Sequence, residues 1–325
     1  MNKGFTINLK AIICFIAISI IWGSTWAVSK LGIEQIPPEV LAYLRNIIAG
    51  SIMVFYFFLK GYAFPTVKQL KRFTVLSLLL FTINSLFILY SLKYIPSHVA
   101  AVIGCTTPLF IYVIRQIKNS EKINGFFILG CIISIVGVSA LISSEMPKER
   151  DENFAIGIII SFVAVIAWSI GFCMMENNKD KENIYYSFAW QLLISGIGLY
   201  LLSLFSTNSF YLASLSINGW FIVAYLSVFG SVTAFICLAY TIKHLPPNIG
   251  SLYVFINPIV AFGISVLLLE TQITPVTLVG IILTLIGVWI SLTFSSFKQQ
   301  NSDRKAHEFQ GIINFKTVRK EAIKL

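Results

Sequence analysis

Arg45 is the most informative of the few polar side chains that interrupt the apolar stretches of this sequence. It is the one basic residue that falls clearly inside such a stretch. A cation placed within a membrane is a candidate for holding a carboxylate-bearing solute. Alternatively, its side chain extends to the lipid headgroups or caps a backbone carbonyl. The sequence leaves these interpretations open.

Six amide and aromatic residues complete the predicted substrate-binding set. They lie near the middle of apolar stretches: Trp22, Asn84, Trp168, Gln191, Tyr253 and Asn257. Aromatic rings provide apolar walls, and amides orient a polar solute. Because an unpaired amide is expensive in lipid, each amide is expected either to bind solute or to bond within the protein. The nearby Ser and Thr hydroxyls are expected to bond to their own helices.

Two prolines, Pro108 and Pro258, are predicted to break two membrane helices at the same depth. Proline removes one backbone hydrogen bond and frees the carbonyl four residues earlier, here on Gly104 and Val254. Such a carbonyl should face protein or a wet cavity, since lipid offers it no donor. Helix breaks at matching positions of two halves point to a binding site. A simple packing kink is the alternative.

Acidic residues are absent from the middle of the apolar stretches. Proton-driven carriers commonly use a buried carboxylate, so no proton carrier is evident from the sequence. His98, near the end of the fourth stretch, is expected to be an interfacial residue. A membrane enzyme would need a cluster of catalytic groups, an HExxH motif or a phosphate-cradling glycine loop, and the sequence offers none of these. We therefore expect no enzyme activity, no catalytic residue, no metal and no cofactor.

The composition is that of a polytopic membrane protein. Of 325 residues, 57% are hydrophobic and 12% charged, and the mean hydropathy is +0.82. This is too little charge to cover a soluble protein. Ten apolar runs are long enough to span a bilayer: 11–29, 40–59, 73–92, 97–114, 124–143, 155–174, 184–205, 219–240, 247–268 and 275–296. All five cysteines fall within these runs at unrelated spacings, which indicates buried thiols rather than disulfides or a metal site.

The basic residues predict the orientation in the membrane. With a cytoplasmic N-terminus, nineteen of the 24 Lys and Arg residues lie in cytoplasmic segments and four in external ones. Both termini are therefore expected in the cytoplasm of a multi-pass inner (plasma) membrane protein. Because topology explains the net charge of +10, no nucleic acid partner is expected. The expected partners are the lipid bilayer and a small-molecule substrate, and a homodimer is compatible with the sequence but not required.

The sequence also repeats itself once. An offset of 150 aligns Pro96 with Pro246, Pro108 with Pro258, Gly130 with Gly280 and Gly137 with Gly287, and an offset of 146 aligns Trp22 with Trp168 and Arg45 with Gln191. This predicts a first five-helix repeat (1–143), an external linker (144–154), a second five-helix repeat (155–296) and a basic cytoplasmic tail (297–325). Because five is odd, the second repeat must be inverted. The predicted fold class is all-α, with ten transmembrane helices as two inverted five-helix repeats, which is typical of alternating-access transporters.

Three segments resemble the EamA-type family of the drug/metabolite transporter superfamily. They are "IIWGSTWAVSKLGIEQIPPEVLAYLRNIIAG" (20–50), "LKYIPSHVAAVIGCTTPLF" (92–110) and "FINPIVAFGISVLLLETQITPVTLVGIILTLIGVWI" (255–290). The third segment carries a Pro…Glu…Gly…Gly run typical of the family. In the first repeat the matching position falls at Lys118–Glu121, and the match is looser there. The resemblance implies ten helices, both ends inside, and movement of a small metabolite, often an amino acid or a derivative, usually outward.

The expected function is therefore a membrane transporter that exports a small polar metabolite by alternating access. An amino acid or a derivative is the expected cargo. The alternative within transport is an importer or exchanger of a nucleoside-like or cofactor-like solute. The alternative class is a membrane-embedded enzyme, against which the missing catalytic groups argue.

Overall fold

Ten helices make up nearly all of the residues that the computed structural model describes, which are 8–119, 123–145, 152–176, 182–205, 215–245, 253–269 and 274–291. They are α1 (Leu9–Ile33), α2 (Pro38–Leu59), α3 (Val67–Tyr94), α4 (Ser97–Asn119), α5 (Gly125–Glu145), α6 (Glu152–Glu176), α7 (Ile184–Ser203), α8 (Ile217–His244), α9 (Tyr253–Leu269) and α10 (Pro275–Ser291). Helices α1 to α8 are long and apolar enough to cross a membrane, and α9 and α10 are shorter apolar helices. The predicted all-α fold of ten helices is confirmed.

The two repeats share backbone details that the sequence alignment alone does not reveal. The hydroxyls of Thr66 and Ser216, 150 residues apart, cap the first turns of α3 and α8. Each of these helices then contains one π-helical turn, at Leu78–Ile83 in α3 and at Val228–Thr233 in α8. These turns are also 150 residues apart, and π turns inside α-helices are frequent at functional sites.

The packing of α5 against α10 shows how the two repeats are related. A Cβ added to Gly130 would lie 2.5 Å from the carbonyl oxygen of Gly287, and one added to Gly137 would lie 2.8 Å from that of Gly280. Residue numbers rise along one helix as they fall along the other, so these equivalent helices pack antiparallel. An axis perpendicular to the helices therefore relates them, as expected for inverted repeats.

Helices α2 and α7, also equivalent, form a second close antiparallel pair. A Cβ on Gly50 would lie 2.4 Å from the backbone nitrogen of Leu193, and one on Gly196 would lie 2.6 Å from that of Ile47. Small residues allow membrane helices to approach this closely, and van der Waals packing then holds them together.

The remaining helices pack across the two repeats and leave a space at the centre. Helix α1 lies parallel to α9, where a Cβ on Gly23 would lie 2.5 Å from that of Val260. Its counterpart α6 lies parallel to α4, where the Ser169 hydroxyl donates to the Thr107 carbonyl at 3.4 Å. The predicted tail and most of the predicted external linker lie outside the described residues.

Candidate functional site

A central cavity lies where the two repeats meet. Its volume, counted over the positions open to the centre of a water molecule, is about 170 Å³. Helices α1, α2, α3 and α4 line it from the first repeat, and α6, α8 and α9 from the second. Six of the seven predicted binding residues are among the lining side chains: Trp22, Arg45, Asn84, Trp168, Tyr253 and Asn257.

An aromatic cluster lies at one end of the cavity. Its members are Trp22, Phe81, Trp168, Phe188, Phe235 and Tyr253. The Trp22 ring centroid lies 5.5 Å from those of Phe235 and Tyr253 and 6.2 Å from that of Trp168, all in edge-on arrangements. Such pairs stabilise the closed packing beyond the burial of apolar area. The cluster lies at the level where α9 begins. From there the cavity extends along α1 from Trp22 to Ser29, toward the C-terminal end of α1.

Arg45 reaches into the cavity from α2 and bonds to the π turn of α8. Its Nε donates to the Ser231 hydroxyl at 2.9 Å, and its Nη2 donates to the Gly230 carbonyl at 3.1 Å. The same carbonyl accepts from Trp22 Nε1 at 3.2 Å. Backbone groups that leave the regular helical ladder need other partners, and two cavity side chains provide them here. The side chain therefore points inward rather than toward the headgroups.

The two predicted amides that line the cavity tie neighbouring helices together. Asn84 on α3 donates to the Ala164 carbonyl of α6 at 3.2 Å. In the amide orientation that satisfies its surroundings, Asn257 on α9 donates to the carbonyls of Ser19 and Tyr253, each at 3.0 Å. Each amide therefore bonds within the protein and also borders the cavity, and its role in binding solute stays a prediction.

Gln191 is the one member of the predicted binding set that does not line the cavity. It is fully buried on α7, and its nitrogen donates to the Ser187 hydroxyl at 2.6 Å. The structure therefore places it apart from the other six predicted binding residues. The repeat aligns it with Arg45, but this position of α7 packs inside the protein.

The two prolines behave differently from one another. Helix α4 is interrupted between Gly104 and Thr107, immediately before Pro108, whereas α9 stays helical through Pro258. The predicted break at Pro258 is therefore not formed, since loss of a single hydrogen bond need not end a membrane helix. Neither proline lines the cavity, although Gly104 and Val254 both do.

Hydroxyl groups near the cavity bond to their own helices, as the sequence predicts. Thr25 donates to the Trp22 carbonyl at 2.7 Å, and Ser169 donates to the Val165 carbonyl at 2.8 Å. Thr107 donates to the Gly104 carbonyl at 2.6 Å. The freed carbonyl before Pro108 is thus satisfied by a side chain.

Several lining residues were missed by the sequence interpretation. Trp26 and Ser29 follow Trp22 at helical spacing on one face of α1, so that spacing could have identified them. Asn46 is an amide inside an apolar stretch, the same signal that identified Asn84 and Asn257. It borders the cavity and donates to the Ser195 hydroxyl of α7 at 3.1 Å, a contact that only the packing of α2 on α7 creates.

His98 is fully buried within the protein at the start of α4. Its Nε2 lies 3.2 Å from Glu145 Oε1 at the end of α5. The Thr277 hydroxyl of α10 donates to the same carboxylate oxygen at 3.0 Å. His98 and Glu145 lie at the far ends of two consecutive helices, which explains why no local pattern indicated the pair.

Comparisons with known proteins agree with this architecture. The sequence profile of the EamA-like transporter family matches residues 9–143 and 155–293. A similar protein is "Uncharacterized inner membrane transporter YedA" of Escherichia coli K12, 28% identical over 75% of this chain and 78% of the relative. Another is "Uncharacterized transporter YoaV" of Bacillus subtilis 168, 23% identical over 89% of this chain and 99% of the relative. One solved crystal structure has a similar fold, with a TM-score of 0.64 and 15% identity over 87% of this chain and 96% of the other.

Proposed function

The chain belongs to the EamA-like transporter family, and we propose that it exports a small polar metabolite by alternating access, with an amino acid or a derivative as the cargo. Membrane transport and residence in the inner membrane follow from the family, from relatives named as transporters and from the apolar helices. The cargo, the outward direction and the cytoplasmic placement of both termini are the proposed part.

The observation that supports this proposal is the composition of the central cavity. Both repeats line it, and it combines aromatic walls with amides, hydroxyls and one cation. A polar solute needs such groups to replace its hydration, and the apolar walls accommodate its carbon skeleton. A site between inverted repeats near the midplane is also where alternating access requires the solute to bind.

The aromatic cluster is the proposed gate at the closed end. Its rings come from six different helices, α1, α3, α6, α7, α8 and α9, so a rocking motion of one repeat against the other would separate them. In the other conformation of the transport cycle, the rings of the aromatic cluster separate. The helices that border the other end of the cavity in this structure then close over that end. The close α2–α7 and α5–α10 contacts then serve as the pivots.

The direct test is metabolite profiling of cells that overexpress the protein and of cells that lack it. Export predicts that overexpression depletes one metabolite inside and enriches it in the medium, with the reverse change in the deletion. An unchanged profile in both strains, with the protein correctly inserted, would contradict the proposed transport. Enrichment inside the overexpressing cells would instead indicate import.

The cavity itself can be tested by cysteine labelling. Single cysteines at 84 and 257 are placed in a background without native cysteines, because Cys105 also lines the cavity. Both should react with a water-soluble thiol reagent, and bound solute should protect them. A cysteine at 191 is the matched control, since Gln191 is buried away from the cavity. Equal reaction at all three positions, or at none, would mean that the cavity is not an aqueous binding site.

A further inference from the structure

The cavity carries an uncompensated positive charge. Among the described residues that line it, Arg45 is the only charged one. The described acidic side chains all lie off the cavity lining, and Glu34 is exposed. Glu39 accepts from a tyrosine hydroxyl, Glu145 faces a histidine, and Glu182 pairs with an arginine. A charge left without a counterion in the interior of a membrane protein is costly and usually functional.

The guanidinium of Arg45 still has donors to offer. It has five N–H groups, and its contacts with Ser231 and Gly230 use two of them. Within the described part of the chain, Nη1 has no hydrogen-bond partner, and it is not among the polar atoms sealed away from open space. Its acceptors are a neutral hydroxyl and a neutral carbonyl, so the full positive charge remains available to a ligand.

The same contacts fix the orientation of the guanidinium. Gly230 and Ser231 belong to the π turn of α8, and the Gly230 carbonyl also accepts from Trp22 Nε1. A Cβ at Gly230 would lie 2.9 Å from Cγ2 of Thr25, so this backbone packs tightly against α1. When one edge of a guanidinium is hydrogen-bonded to the protein, the N–H groups of its other edge stay free to donate two parallel hydrogen bonds to a carboxylate. Preorganisation of this kind strengthens binding because little freedom is lost when the ligand arrives.

The second repeat has no equivalent anion site. The repeat aligns Arg45 with Gln191, which is off the cavity, and it aligns Ser231 with Phe81. The cavity therefore has a single cation, held against the π turn of α8, while aromatic rings line it from α1, α3, α6, α8 and α9. A solute that matches it has one negative group and an apolar body.

We infer that the solute is an organic anion whose carboxylate binds the free edge of Arg45 and whose apolar body packs against Trp22 and Trp168. This inference rests on the proposed transport function and narrows its substrate class. A free amino group would find no carboxylate among the described lining residues. Amino-acid derivatives with a blocked amine, and other monocarboxylic acids, therefore match the cavity better than free amino acids or amines.

The test compares acids with their own amides on the full-length protein in lipid nanodiscs. The probes are N-acetylphenylalanine, N-acetylleucine and 3-phenylpropionate, each paired with the primary amide of the same skeleton. Binding is followed by tryptophan fluorescence, since Trp22, Trp26 and Trp168 line the cavity. A hydrogen-bonded charge pair predicts that the acids bind about tenfold to a hundredfold more tightly than the amides. Equal binding, or tighter binding of the amides, by the wild-type protein overturns the inference.

Two variants separate the charge of Arg45 from its structural contacts. Arg45→Gln should abolish the difference between acid and amide, whereas Arg45→Lys should keep part of it, because the charge remains but the fork is lost. Gln191→Leu, at the equivalent position off the cavity, should leave the difference unchanged. Discrimination that persists in Arg45→Gln would overturn the role of Arg45.

Different experimental results would refute the anion inference and the proposed transport function. Proteoliposomes that accumulate the amides but not the acids would refute the anion inference and leave transport intact. An unchanged metabolite profile in both the overexpressing and the deletion strains would refute transport itself. Because the comparison of acid with amide in the wild type needs no variant, a folding defect in Arg45→Gln does not prevent the test.

Discussion

Gly196 on α7 allows the close approach of α2, and replacing it with alanine tests that packing directly. The added Cβ would lie 2.6 Å from the backbone nitrogen of Ile47 and 3.0 Å from the carbonyl carbon of Asn46. A backbone atom cannot rotate away as a flexible side chain can, so the helices must separate by a substantial part of an ångström. Overpacking of this kind lowers the free energy of unfolding by about 1–3 kcal/mol.

Gly198 is the matched control on the same helix. A Cβ there would meet no atom within 4 Å, so Gly198→Ala should leave stability unchanged or raise it slightly. The measurement is the thermal midpoint of the purified protein in mild detergent, followed by tryptophan fluorescence and size-exclusion chromatography. Gly196→Ala should lower the midpoint by several degrees.

The same substitution should also weaken transport, because α2 carries Arg45 and Asn46 into the cavity. Solute affinity should fall in Gly196→Ala and stay at the wild-type value in Gly198→Ala. A Gly196→Ala protein as stable as the wild type, or an equal loss of stability in both alanine variants, would refute the tight packing of α2 against Gly196.

Three further predictions concern topology, the tail and the gate. Reporter fusions within 206–217 should read as external and those within 298–325 as cytoplasmic, and a cytoplasmic signal from 206–217 would contradict the predicted orientation. Deletion of 303–325 should leave transport largely intact because the family match ends at residue 293, so loss of transport in correctly inserted protein would count against this. Trp22→Phe keeps a ring in the aromatic cluster but loses the hydrogen bond to the Gly230 carbonyl. Loss of about 1 kcal/mol should lower solute affinity several-fold in uptake assays. Unchanged affinity would contradict this prediction.

The sequence alone determined the membrane-spanning architecture. Runs of apolar residues identify spanning helices because lipid rejects charge and unpaired backbone groups. The offset of 150 identified the repeat, and the odd number of spans required inversion. The intramembrane polar residues were also evident, since each contrasts with its apolar neighbours. Six of the seven predicted binding residues line the cavity for this reason.

Only the tertiary structure decided which of these polar groups face the same space. Arg45 and Gln191 occupy equivalent positions of the repeat, but one lines the cavity and the other is sealed inside. The π turn that holds Arg45 has no sequence signal, because it depends on the backbone hydrogen bonds of α8 within its packed surroundings. His98 and Glu145 meet only because α4 packs beside α5. Hydropathy fixes how deep a residue lies in the membrane, whereas packing between helices fixes the direction in which its side chain points.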